Sequence, residues 1–196
     1  MNEFMFELEQ FSAKEEEGRS GTAGAFGTVT VSVPRRKFRD KSLGNSTEIR
    51  ADGEHIPEVV YRAVGRPRPG LRDGRLLVDG TPVDLSFNRN ALRNKSRALQ
   101  LTHQGRAYAY IVTGNRKGAV LRRAGADITI AREKSTSGRG LNSVGTATGD
   151  VDAVDLALAV VFEEVDTFDL TSFGAATTAF NRIVTPRTHD SGVGSE

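Results

Sequence analysis

A mainly-β fold, an antiparallel barrel with one or two C-terminal helices packed in or against it, is the class this 196-residue chain predicts. Two observations carry the prediction. Between Arg75 and Ala131 three short apolar segments pairs are each joined by a turn signal, the spacing of an antiparallel meander. After them comes a single run, Asp150 to Asp166, that is apolar over most of a helical circumference. The 21 glycines fit a fold rich in turns.

The elements follow in order. Phe4, Phe6 and Leu8 share one face of a strand from Phe4 to Phe11. Residues 14–27 turn acidic and then rich in Gly, Ser and Ala, which predicts a loop. Gly27 to Pro34 alternates cleanly, with Val29, Val31 and Val33 on one face and Thr28, Thr30 and Ser32 on the other, and the proline closes it. Weak strand signal appears around Thr47–Arg50 and stronger signal at Glu58–Val64. Pro67 and Pro69 then break the chain, because neither can join a ladder or continue a helix.

Three hairpins are predicted next. Leu76–Val78 and Val83–Phe87 flank Asp79-Gly80, Ala98–Thr102 and Ala107–Thr113 flank His103–Gly105, and Ala119–Arg123 and Asp127–Ala131 flank Ala124-Gly125. Residues 134–149 are rich in Ser, Thr and Gly and read as loop or a poor strand. The helix is predicted over Asp150–Asp166, capped by Asp150 or Asp152, with Asp152, Asp155, Glu163 and Asp166 on one narrow stripe. Its core-filling composition predicts that the strands close around it. Phe173–Val184 is a candidate second helix. One domain over residues 1–185 and a flexible tail over 186–196 complete the expected organisation.

Composition excludes several chemistries. With no Cys there is no disulfide, no thiolate catalysis and no Cys-ligated metal. No metal site is predicted from His55, His103 and His189, which lack ligand spacing. The glycine-rich stretch Gly21–Gly27 precedes a strand, whereas a phosphate cradle follows one, so no nucleotide cofactor is expected. No serine sits in a nucleophile elbow. An enzyme is therefore the less favoured class; it would need Glu163, Glu164, Asp166 and Asp169 to line a cleft. The competing expectation is that these acids pair with bases of the chain's centre.

Charge is strongly segregated. Residues 1–33 carry −4, residues 34–140 carry +13 and residues 141–196 carry −7, giving the net +2. Either the acidic ends fold onto the centre or the centre presents a basic surface. The clusters predict anion-binding candidates at Arg35, Arg36, Arg89, Arg93, Arg97, Arg122 and Arg123. Lipid headgroups or an acidic protein are the expected partners; nucleic acid is possible on charge but has no motif to support it. The acidic N-terminus lacks the basic and apolar regions of a signal peptide, and no run reaches the ~20 apolar residues of a membrane span. A cytoplasmic protein is expected, peripheral to a membrane where it binds lipid. Arginine outnumbers lysine 21 to 6, which fits a GC-rich, bacterial genome.

The segments Arg75–Ala131 and Asp150–Val165 together resemble, in pattern, the tubby-like and phospholipid-scramblase-like barrels. In that family an apolar C-terminal helix threads a barrel of short antiparallel strands. The resemblance covers well under half of the chain and matches no signature residue, so no binding position is carried over. It implies a link to membrane lipid or phosphoinositide. The leading expectation is thus a non-enzymatic protein whose basic β surface binds an anionic partner. The alternative is an assembly protein self-associating through its acidic and basic segments.

Overall fold

The computed structural model describes residues 3–35, 46–64, 68–88, 97–113, 118–134 and 140–171. Twelve antiparallel strands close into a barrel: β1 (Glu3–Ser12), β2 (Glu16–Thr22), β3 (Thr28–Pro34), β4 (Thr47–Gly53), β5 (Val59–Ala63), β6 (Arg75–Val78), β7 (Thr81–Ser86), β8 (Leu99–His103), β9 (Arg106–Thr113), β10 (Gly118–Arg123), β11 (Ala126–Lys134) and β12 (Leu141–Gly149). Every strand pairs with its sequence neighbours, and β1 with β12 closes the ring. One helix, α1 (Ala153–Val161), follows β12.

The strands form because their apolar residues alternate with polar ones, and the apolar set turns inward. On β3, Val29, Val31 and Val33 are buried while Thr28 is exposed. The same period places Leu99 and Leu101 of β8, Tyr108, Tyr110 and Val112 of β9 and Ile128 and Ile130 of β11 inside. Asp79 and Gln104 adopt positive φ (46° and 48°) at the first position of two-residue hairpin turns, followed by Gly80 and Gly105 (75° and 78°), the geometry such turns require.

An eight-stranded barrel is just wide enough for side chains to fill; twelve strands leave room that something else must occupy. Here α1 occupies it. The helix packs on β4 and β5 to one side and on β10 and β11 to the other, diametrically opposite in the ring. Residues 156 to 161 are at most 1% exposed. Asp152 caps the helix by accepting from the Asp155 amide at 3.0 Å, and Asp155 accepts from the Asp152 amide at 2.9 Å. At the far end Phe162 lies between Tyr61 and Tyr110, with ring centroids 5.9 and 4.7 Å away.

Two strands are shared between the two faces of the barrel. β1 gives residues 3–8 to β12 and residues 9–12 to β2. β7, opposite in the ring, gives Thr81–Val83 to β6 and Asp84–Ser86 to β8.

The structure corrects two expectations and decides between two alternatives. The predicted loop at 14–27 contains β2, and residues 134–149, which read as loop or a poor strand, contain the strand β12. Both carry glycine where an inward or cross-strand contact is close: a Cβ on Gly145 would come within 2.0 Å of the Phe6 ring, and one on Gly21 within 1.9 Å of the Glu7 carbonyl. The predicted helix Asp150–Asp166 is shorter at both ends, because the acids that flank it turn the chain rather than extend the helix. The candidate helix at 173–184 and the tail lie outside the described residues.

Candidate functional site

Strand order gives the barrel two unlike ends. The turn end gathers the connections 23–27, 54–58, 79–80, 104–105 and 124–125, with the helix entry at 150–152. These hold five Asp or Glu and no Lys or Arg. The loop end gathers the ends of the strands that flank residues 35–46, 64–74, 87–98, 114–117 and 135–140. Those five connections hold 15 Lys and Arg against two Asp, and the sixth at this end, 13–15 between β1 and β2, adds Lys14 and Glu15. Eleven of the 15 bases fall outside the described residues; Arg35, Arg68, Arg72 and Arg97 are within them.

The chain leaving α1 emerges at the loop end and brings its acids there. Glu163 and Glu164 are each 2% exposed, not solvated. Arg19 of β2, Ser143 of β12 and Arg132 of β11 converge on them from adjoining parts of the wall. Ser143 donates to Glu163 Oε2 at 2.5 Å, and Arg132 donates to the same oxygen at 3.3 Å and to the Glu163 carbonyl at 2.7 Å. Arg68 reaches Glu164 Oε2 at 2.7 Å. Arg19 Nε lies 3.1 Å from Glu164 Oε1, an ion contact without the alignment of a hydrogen bond. Its Nη1 donates to the Leu141 carbonyl. Burial lowers the Arg19 pKa, with Glu164 opposing it, and burial raises that of Glu164 against the pull of Arg68 and Arg19.

The connection between β5 and β6 lies over this cluster. Asp166 donates its amide to the Pro69 carbonyl at 2.9 Å, and Gly70 and Asp166 form a parallel bridge. Tyr61 donates to the Gly70 carbonyl at 2.7 Å from below. Arg72 meets Asp169 Oδ2 at 3.3 Å, and buried Arg97 donates to the Asp169 carbonyl at 3.0 Å.

The predicted site residues therefore do not share one surface. Arg35 is exposed at the loop end, where it donates to the Ala13 carbonyl at 3.1 Å. Arg36, Arg89 and Arg93 lie outside the described residues. Arg97 is at the loop end but 1% exposed, so its guanidinium serves the interior. Arg122 and Arg123 close β10 at the turn end. Arg122 grips Asp127 on the outer wall at 3.0 and 3.1 Å. Arg123 turns inward and donates to Asp155 at 2.7 Å, binding the helix start. The expectation that the acidic end pairs with the basic centre holds at Glu163, Glu164, Asp155, Asp152 and Asp169. The carboxylates at 163 and 164 are buried and engaged by arginine.

Sequence reasoning passed over Arg19, Ser143 and Arg132. All three lie in segments whose polar character argued against a buried role. Only the strand period, with Arg19 and Ser143 counted from Gly21 and Gly145, marks them as inward. Among the described residues no group of His, Asp and Glu is arranged to hold a metal ion. No helix among them is long and apolar enough to cross a membrane. Comparison with family models, with curated proteins and with solved structures finds no match.

Proposed function

We propose that this protein is a non-enzymatic binding barrel that turns its loop end toward an anionic partner, lipid headgroups foremost. The observation that carries the reading is the 16-to-none distribution of Lys and Arg between the connections of the two ends, against three Asp or Glu in those of the loop end and five in those of the turn end with the helix entry. Intramolecular pairing neutralises the bases nearest the helix, since Arg68, Arg72 and Arg97 are taken up by the segment after it. Arg35 has only a carbonyl as partner among the described residues. A one-sided excess of base attracts a polyanionic surface without reading its chemistry, and it does so most strongly at low salt. The tubby-like and scramblase-like resemblance supports the same reading, since an enclosed apolar helix is the arrangement it implies. Cytoplasmic residence with peripheral membrane contact follows from this proposal.

Flotation with phosphatidylcholine vesicles containing or lacking about one-third phosphatidylserine tests it. Binding is expected only to the anionic vesicles, to weaken steeply between 50 and 200 mM salt as counterion release requires, and to fall when Arg35 and Arg36 are changed to Glu. Changing Arg122 to Glu, at the other end, leaves it intact. Failure to bind anionic vesicles at low salt removes the proposal.

The self-assembly reading retains one supporting observation. Glu3, Glu7 and Glu9 of β1 and Glu16 and Glu17 of β2 are exposed and could meet the loop end of a second copy. The C-terminal acids are spent within the chain, which weakens that reading. A mass in solution that stays monomeric from low to high salt ends it.

A further inference from the structure

The outer wall of the barrel over β9–β12 and β1 carries an uncharged belt, and we propose that this belt docks against the same wall of a second copy of the chain. The register lays out the belt. Ile111, Val120, Thr129, Thr146 and Met5 are successive cross-strand neighbours on five strands, and none is charged. They face outward, since Val120 stands between buried Ala119 and Leu121 and Thr129 between buried Ile128 and Ile130. The next row toward the loop end, Thr113, Gly118, Ala131 and Val144, is uncharged as well and ends at Glu7 of β1. Glu7 is tied back by the Asn142 side-chain amide at 2.7 Å. At 68% exposed, Met5 is the most exposed large apolar side chain among the described residues.

The opposite wall is built differently. There the outward positions of β4 and β5 hold Glu48, Arg50 and Arg62, joined with Glu58 in a network of surface ion pairs. A wall of small and β-branched residues without charge is instead the face that one sheet presents to another about 10 Å away.

The charges at the border of the belt specify a second copy as the occupant. In the row toward the turn end, Arg122 of β10 and Glu3 of β1 stand three strands apart. A twofold axis along the strands, between β11 and β12, lays β10 of one copy over β1 of the other and β11 over β12. It brings Arg122 over Glu3, Val120 over Met5, Thr129 over Thr146 and Ala131 over Val144, each contact made twice. Arg122 binds Asp127 through Nε alone, at 3.0 and 3.1 Å, which leaves its terminal nitrogens for a second carboxylate. Glu3 is exposed and has no ionic partner among the described residues. Glu7 meets Gly118, which has no side chain to oppose it. A closed barrel has convex walls, so two of them part on either side of the axis. The residues beside the axis are short, and Met5, Arg122 and Glu3 farther out are long enough to cross the widening gap. Five strands about 4.8 Å apart and three rows about 6.8 Å apart span roughly 500 Å². Two such faces bury about 1,000 Å², the low end for a specific contact, so the dimer dissociates on dilution. The apolar rows supply the affinity and the charged pairs fix the register.

This inference does not rest on lipid binding at the loop end, and salt separates it from association through segregated charge. Sedimentation of the full chain across about 5–500 μM is expected to show a monomer–dimer equilibrium with a midpoint of about 10–100 μM. The dimer should persist in high salt, where an assembly held by acidic and basic segments comes apart. Thr129→Lys sets a charge beside the axis at an exposed position, and it is expected to leave only monomer with an unchanged thermal midpoint. Arg122→Glu and Glu3→Lys each bring like charges together, and each is expected to raise the dissociation constant about tenfold or more. Mixed in equal amounts at low salt, these two variants are expected to form a heterodimer, since each supplies the charge that the other lacks. A monomer over the whole range, a dimer that Thr129→Lys leaves intact, a dimer lost in high salt, or a mixture that stays monomeric overturns the proposal whatever the vesicles show.

Discussion

At the turn end of the barrel three of the five hairpins reverse within two residues, the connections carry no base, and the helix enters through a capped N-terminus. At the loop end the connections are long and basic, and the chain leaving the helix meets them through buried carboxylates. Arginine–carboxylate contacts fasten the helix at both ends, but their surroundings differ. Arg106 and Asp152 at the turn end are 51% and 39% exposed in their side chains. Arg19 and Glu164 at the loop end are 4% and 2% exposed. An exposed pair is screened and contributes little. A buried one cannot lose a partner without leaving an unpaired charge in the interior. The two ends thus divide differently: the turn end combines a backbone cap and an exposed pair with one buried pair, Arg123–Asp155, whereas at the loop end both carboxylates, Glu163 and Glu164, are buried against arginine.

The sharpest break in that comparison comes from truncating one arginine at each end. Arg19→Ala leaves Glu164 with Arg68 alone and opens space inside the wall, so it should cost about 3–5 kcal/mol of unfolding free energy. Arg106→Ala should be nearly silent, since its partner keeps the Asp155 amide. Denaturant titration reads both. The double change Arg19→Met with Glu164→Leu should recover most of the loss, because removing both charges restores a neutral interior. A cost for Arg19→Ala no larger than for Arg106→Ala would erase the distinction between the ends.

Acid titration gives the two ends opposite signs. At Asp152 burial acts to raise the carboxyl, but the Asp155 amide and Arg106 outweigh it and hold it below its usual 3.8. The unfolded chain then binds the proton more readily, so this stabilisation is present above about pH 3.8 and is lost as pH falls through the folded value. At Glu164 burial wins over the arginines and raises the carboxyl above its usual 4.5. The folded chain then holds the proton more readily, so stability declines as pH rises from 4.5 through the folded value. Against Asp152→Asn, the native protein should lose its advantage on acidification below about pH 4. Against Glu164→Gln, it should lose ground on the way up. Unfolding free energies of both variants between pH 3 and 7 check the signs, and parallel curves would show that the two sites share one environment.

Most of the fold was legible because apolar residues alternate on most strands and Asp79-Gly80, Gln104-Gly105 and Ala124-Gly125 mark tight turns. The enclosed helix was legible because Ala153–Phe162 has a single interior polar residue, Asp155. What escapes is β2, and β12 reads only as loop or a poor strand; the inner positions of both serve the buried acids. Arg19 and Ser143 stand where the barrel interior is ionic, so the apolar alternation that identifies a strand is missing there by necessity. The anion-binding candidates were chosen by local density of charge. Density did not distinguish Arg123, which turns inward on Asp155, from Arg35, which faces solvent. Strand parity and barrel end decide that, and both depend on partners distant in sequence.

The smallest effect is expected where the turn end keeps a polar group without using it. Tyr108 is 1% exposed, and its hydroxyl has no hydrogen-bond partner among the described residues, as is also true of His103 Nδ1 on the neighbouring strand. Burial raises the Tyr108 pKa, and the neighbouring Arg106 guanidinium, at the margin of hydrogen-bond geometry, pulls it the other way. A hydroxyl taken out of water without a partner is a cost, and deleting it while keeping the ring removes that cost and leaves the packing intact. Tyr108→Phe should therefore change stability by less than about 0.5 kcal/mol or raise it by up to about 1 kcal/mol. At the loop end the same deletion has a different consequence: Tyr61→Phe breaks the bond to the Gly70 carbonyl and frees the connection that lies over the ion cluster. Thermal unfolding of the two variants side by side tests this. A loss above 1 kcal/mol for Tyr108→Phe, or none for Tyr61→Phe, would show that the hydroxyls are used the other way round.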